Sequence, residues 1–123
     1  MPKEFQRSTR VGEQIQRELA GMLSRVLEDP RAGMVTVTAV QVSKDLSHAK
    51  VFVSSLGGSL PHDDLVAQLQ HASGFMRHEL GRAMKLRIQP ELRFVYDETQ
   101  ERAARLEALI AKANAPDGGK QDS

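Results

Sequence analysis

The side chains best suited to chemistry in this 123-residue chain are its four histidines, and their spacing argues against a catalytic or metal centre. His71 and His78 stand seven apart, two helical turns, in a segment that bends between them. Helical metal ligands usually sit four apart, as in His-Glu-x-x-His, and that motif is absent. His62 precedes Asp63 and Asp64, which could ligate a cation but serve equally as acids at a helix start. There is no cysteine, so thiolate zinc sites, thiol nucleophiles and disulfides are excluded, in keeping with a reducing compartment. Ser54-Ser55 has no identifiable base beside it, and neither Gly-x-Ser-x-Gly nor a Gly-x-x-x-x-Gly-Lys phosphate loop occurs. Gly57-Gly58 reads as a loop hinge rather than a phosphate cradle. The expectation is no metal, no cofactor and no enzymatic activity.

Charge placement says more. Seventeen Lys plus Arg against sixteen Asp plus Glu leave a net +1, with the excess concentrated in one region. Between residues 77 and 93, Arg77, Arg82, Lys85, Arg87 and Arg93 face only Glu79 and Glu91, a local +3. From Asp97 to Ser123, four bases meet six acids, a local −2. Arg7, Arg10 and Arg17 near the N-terminus, with Lys44, His48 and Lys50 in the middle, extend the basic set. Such asymmetry points to a phosphate-facing surface, with an ordinary solvated face as the alternative. Four Phe, one Tyr and no Trp make stacking platforms scarce, so recognition through shape and backbone is expected. A second pointer is Ala72-Ser73-Gly74, a small-residue break in an apolar-periodic segment. The helix that resumes there offers backbone N–H groups to a phosphate, Gly74 permits close approach, and Arg77 lies one turn on. The Gly-x-x-Gly loop of KH modules occurs nowhere in the chain.

The elements that must position these residues follow from periodicity. Val11, Ile15, Leu19, Met22, Leu23, Val26 and Leu27 form one helical stripe, with Ser8 or Thr9 as its cap and Asp29-Pro30 as its stop. Met34–Val42 is uncharged and β-branched, and its apolar parity changes near Ala39 and Val40, which suggests a bulge or burial on both faces. Ser43–Ser47 is turn chemistry, and His48–Ser54 completes an antiparallel hairpin with Ala49, Val51 and Val53 on one face. Asp63 or Asp64 opens a helix carrying Leu65, Leu69, Ala72, Met76, Leu80 and Met84, bent or broken at Ala72-Ser73-Gly74. Leu92–Tyr96 is a third strand whose placement the pattern leaves open. Asp97 with Gln100 caps a last helix with the stripe Ala103, Leu106, Leu109, Ile110 and Ala113. Together these give one α+β domain over residues 1–113, a three-stranded sheet with helices packed on one face. Lys50 and Phe52 fall on the other face, and the open placement of the third strand leaves Arg93 and Val95 as candidates for it. Residues 114–123 read as a disordered tail. No apolar run spans a bilayer and the N-terminus lacks a signal pattern, so a cytoplasmic location is expected.

The runs Arg10-Val11-Gly12-Glu13-Gln14-Ile15, Val35-Thr36-Val37-Thr38, Val42-Ser43-Lys44-Asp45-Leu46-Ser47-His48-Ala49-Lys50-Val51-Phe52-Val53-Ser54 and Pro90-Glu91-Leu92-Arg93-Phe94 together resemble the bacterial ribosome-binding factor A family. The resemblance covers residues 5 to 112 and implies a type II KH-like fold in which Ala72-Ser73-Gly74 forms an Ala-x-Gly kink in place of the Gly-x-x-Gly loop. It further implies a cytoplasmic, non-enzymatic assembly factor that binds the free 30S subunit. Late maturation and processing of 16S rRNA, contact near its 5′-terminal helix region and growth in the cold belong to the same implication. On that reading the factor is a monomer when free. RNA contacts fall to Arg77, Arg82, Lys85 and Arg87 beside the kink, to Lys44, His48 and Lys50, and to Arg7, Arg10 and Arg17. A general single-stranded RNA-binding KH module and a protein-interaction domain are the alternatives.

Overall fold

The computed structural model describes residues 3–114, with side chains from Gln6 onward. The elements are α1 (Lys3–Val26), a 3₁₀ turn (Pro30–Ala32), β1 (Met34–Val42), β2 (His48–Leu56), α2 (His62–His71), α3 (Ser73–Met84), β3 (Glu91–Tyr96) and α4 (Thr99–Asn114). Helix α1 starts before the expected cap at Ser8 or Thr9. The reason lies in the stripe itself: Ser8 stands three residues before Val11 and seven before Ile15, and it is buried as the stripe's continuation. At the other end Leu27 N–H still reaches Leu23 O at 3.0 Å before Asp29-Pro30 ends the helix.

Strand β1 matches its expected bounds, and the register with β2 jumps between Val37 and Ala39, leaving Thr38 as the extra residue of a bulge. The hydroxyl of Thr38 donates to Asp97 Oδ2 at 2.6 Å, so the bulge ties β1 to the end of β3. Strand β2 is central: β1 pairs with it antiparallel and β3 pairs with it parallel. A parallel neighbour needs a crossover, and α2 and α3 supply it. Three helices cover one face. Ile15, Leu19, Leu65, Leu69, Met76 and Leu80 are fully buried there, against Val37, Ala49, Val51, Val53, Leu92 and Phe94 of the sheet. The expected hinge at Gly57-Gly58 is instead a close crossing of two backbones. A Cβ on Gly33 would lie 2.5 Å from Gly58 N, and the N–H groups of Ser59 and Leu60 both donate to Arg31 O.

Helix α4 departs from expectation. None of its residues is buried, and Leu106, Leu109 and Ile110 are 58%, 65% and 50% exposed. An amphipathic stripe records that a face favours burial, but α1–α3 already fill the one apolar face of the sheet. The Asp97–Gln100 capping pair is also replaced. Asp97 Oδ1 accepts from Thr99 N–H at 2.9 Å while Oδ2 takes the Thr38 hydroxyl. These hydrogen bonds, Thr38 first and then Thr99, lower the Asp97 pKa. Helix α4 includes Asn114, the first residue of the expected 114–123 tail, and the rest of that tail lies outside the described residues.

Candidate nucleic-acid interface

The junction between α2 and α3 is one residue long. Ala72 has φ −88° and ψ 2°, and its N–H is shared between Gln68 O at 3.2 Å and Leu69 O at 3.1 Å. Such bifurcation is common at helix ends and turns the chain without a loop. Gln70 Nε2 reaches Ser73 Oγ at 3.5 Å. Gly74 is exposed, and a Cβ built on it would meet nothing within 4 Å. The bare backbone there faces outward.

Beyond the kink the cations separate into two groups. Arg77 donates from Nε and Nη2 to Gln89 O at 3.0 and 2.7 Å, which fastens the turn before β3 to α3. Its first task is therefore structural, which sequence spacing did not reveal. Arg82, Lys85 and Arg87 are exposed around the C-terminal end of α3. Arg82 Nη1 lies 3.5 Å from Glu79 Oε2, and Lys85 ends the helix with φ 52° and ψ 41°. Cations at a helix C-terminus also meet the negative end of its dipole, so the position suits them without any partner. On α1, Arg7, Arg10 and Arg17 are exposed and share one stripe by their spacing of three and seven. Helix α1 packs directly on α3.

The hairpin turn is tightly hydrogen-bonded. Asp45 Oδ1 accepts from Ser47 Oγ and Ser43 Oγ, each at 2.7 Å, and from Ser47 N–H at 3.1 Å. These bonds, Ser47 first, lower the Asp45 pKa to about 2. His48 N–H donates to Ser43 Oγ, and His48 Nδ1 lies 2.8 Å from Ser47 Oγ. Leu46 at φ 64° completes the reversal. Lys44 and His48 are thus presented on a fixed turn, and Lys50 follows on the exposed side of β2.

Two polar devices escaped sequence reading. Asp29 binds Arg31 in an ion pair at 2.8 Å and accepts from Gln68 Nε2 at 2.9 Å, joining the end of α1 to α2. The Arg31 hydrogen bonds, then Gln68, hold its carboxyl well below the usual carboxylate range. Gln70 spans the outer edge of β3, donating to Leu92 O at 2.9 Å and accepting from Phe94 N–H at 3.0 Å. Its amide satisfies backbone groups that an edge strand otherwise leaves open. A groove of about 800 Å³ runs past it, lined by His48, Lys50, Asp63, Glu91 and Arg93 among others. Among the described residues no group of three or more His, Asp or Glu could hold a metal ion, and no helix is long and apolar enough to cross a membrane.

A helix, a hairpin, a bent helix pair and a parallel third strand define a KH-like α+β domain in which a one-residue kink stands in place of the Gly-x-x-Gly loop. The chain belongs to the ribosome-binding factor A family, whose pattern matches residues 7–110. It is 56% identical over 117 residues to ribosome-binding factor A of Thioalkalivibrio sulfidiphilus, covering 95% of this chain and 91% of that one. The factor of Hahella chejuensis is 53% identical, covering 100% and 96%. Among solved structures, the crystal structure of the Thermus thermophilus factor superposes with a TM-score of 0.63 at 30% identity, over 72% of this chain and 94% of that one. A homology model of the Thermus thermophilus factor, fitted into a cryo-electron-microscopy map of a 30S complex, gives the same TM-score and identity over 74% and 96%.

Proposed function

We propose that this chain is a non-catalytic assembly factor that binds the free 30S ribosomal subunit and assists late maturation and processing of 16S rRNA. The observation that carries this reading is the family match over residues 7–110. The fitted 30S complex of the Thermus thermophilus relative supports the 30S subunit as the partner. The geometry fits it: exposed Arg82, Lys85 and Arg87 follow an outward-facing kink, and Arg7, Arg10 and Arg17 line the helix that packs beside α3. The factor acts in the cytoplasm as a monomer when free, with its contacts near the 5′-terminal helix region of 16S rRNA and a role in growth in the cold. A general single-strand KH module fits less well, because a one-residue junction leaves no loop to clamp a nucleic-acid backbone. Sucrose-gradient sedimentation of lysate containing the tagged protein, at low and high salt, tests the reading. Co-migration with free 30S, absent from 70S and lost at high salt, is expected. Recovery only at the top of the gradient at both salts overturns it and favours a protein-interaction domain.

A further inference from the structure

The face of the sheet opposite the helices has its own chemistry. Buried Ala49, Val51 and Val53 alternate with Lys50, Phe52 and Ser54, which therefore point away from the core. Across the strands, Gln41, Lys50 and Arg93 form one row, and Ala39, Phe52 and Val95 form the next. Lys50 and Arg93 are direct neighbours and both exposed, and no salt bridge involves either among the described residues. Like charges directly opposite in a sheet are unfavourable. Glu91 stands on this face in the next row, paired in register with His48, and it too enters no salt bridge. Lys50 Nζ rests 5.5 Å from the centroid of the Phe52 ring, which is only partly covered. Helix α4 has no buried residue, and Gln41, Lys50 and Arg93 on this face are all exposed.

We propose that this face binds a short single-stranded segment of RNA, with one base stacked on Phe52 and the neighbouring phosphates held by Lys50 and Arg93. The inference rests on the RNA-directed reading above and adds a base contact to it. Charge complementarity selects the occupant: a polyanion relieves the Lys50–Arg93 repulsion, whereas an apolar protein surface would desolvate both cations without a counter-charge. Lys50 and Phe52 stand two residues apart, about 7 Å along the strand, and Arg93 lies one strand away at about 5 Å. A ring flanked by cations at this spacing suits a base between phosphates. On binding, the Lys50 ammonium leaves the ring for a phosphate and the base takes its place. Every base has a π-face, so the contact tolerates any sequence.

The test is fluorescence anisotropy of a labelled, unstructured octaribonucleotide at low salt, with Phe52→Leu, Phe52→Tyr, Lys50→Gln and Arg93→Gln beside the wild type. Circular dichroism melts establish that each variant folds. Phe52→Leu is expected to weaken binding about tenfold with its salt dependence unchanged, while Phe52→Tyr, which keeps the ring, binds as the wild type does. Lys50→Gln and Arg93→Gln each make the slope of log K against log salt shallower by about 0.7. Equal affinity of Phe52→Leu and wild type overturns the inference, as does failure of the wild type to bind the oligonucleotide. Co-sedimentation with 30S separates the two readings. A wild type that binds 30S alongside an unimpaired Phe52→Leu removes only the base contact, whereas a wild type that never binds 30S removes the assembly role.

Discussion

Inside α3, Gly74 has open space where a side chain would begin, so the fold itself does not require glycine there. Helical glycine costs about 1 kcal/mol relative to alanine, and close approach from outside is the remaining use of its bare backbone. Gly74→Ala is expected to stabilise the protein by about 0.5–1 kcal/mol in urea melts and to weaken 30S co-sedimentation. Undiminished 30S binding in the variant would take the kink out of the interface. Asp45 offers a second test at this scale. Its folded pKa, about 2, lies below the ordinary aspartate value of 3.8, so its contribution is complete above about pH 4 and lost as pH falls through about 2. Asp45→Asn should melt lower than the wild type at pH 6, with the gap closing by pH 2. A constant gap across that range means the charged turn is not the source.

Elements differ sharply in how firmly the fold holds them. Helix α1 lays Ile15 and Leu19, both fully buried, onto the sheet and α3. Leu19→Ala should therefore cost about 2–5 kcal/mol, through lost transfer energy and the cavity left behind. Helix α4 is fastened at its first turn. The Tyr96 hydroxyl donates to Glu101 Oε1 at 2.9 Å, His62 stacks on the Tyr96 ring at 3.5 Å, and His62 Nε2 lies 3.5 Å from the same Glu101 oxygen. Beyond that turn its leucines face solvent, so Leu106→Ala should change stability by no more than about 0.5 kcal/mol. Denaturant midpoints of the two variants check both statements together. A large loss from Leu106→Ala would mean that α4 packs on the body of the protein.

At the scale of the whole molecule, near-neutral net charge conceals a surface whose cations are shared among α1, the hairpin and the end of α3. If about five phosphates are neutralised, log K for the subunit should fall with a slope of roughly −3.5 to −4.5 against log salt. The double variant Arg82→Glu, Arg87→Glu removes two exposed cations and should leave the melting temperature nearly unchanged while weakening and flattening that dependence. Binding that survives the double variant with an unaltered slope would reduce the α3 cluster to a solvated helix end.

The order of the elements, the hairpin, the change of parity at the β1 bulge and the bend at Ala72 were legible because each is written in neighbouring residues. Apolar period, turn chemistry and small-residue breaks act over a few positions. The resemblance carried by the Val42–Ser54 run was legible too, and within it Asp45 accepts from the hydroxyls of Ser43 and Ser47. Other features depended on residues far apart in the chain. Parallel pairing of β3 with β2, the Gln70 clamp on the β3 edge, the hold of Arg77 on Gln89 and the meeting of Lys50 with Arg93 all join distant segments. Helix α4 shows the limit from the other side: its stripe stated that a face favours burial, and only packing could say that no room was left for it. Local chemistry therefore determined the elements of this protein, while the competition among them for one apolar sheet face decided which charges stand exposed.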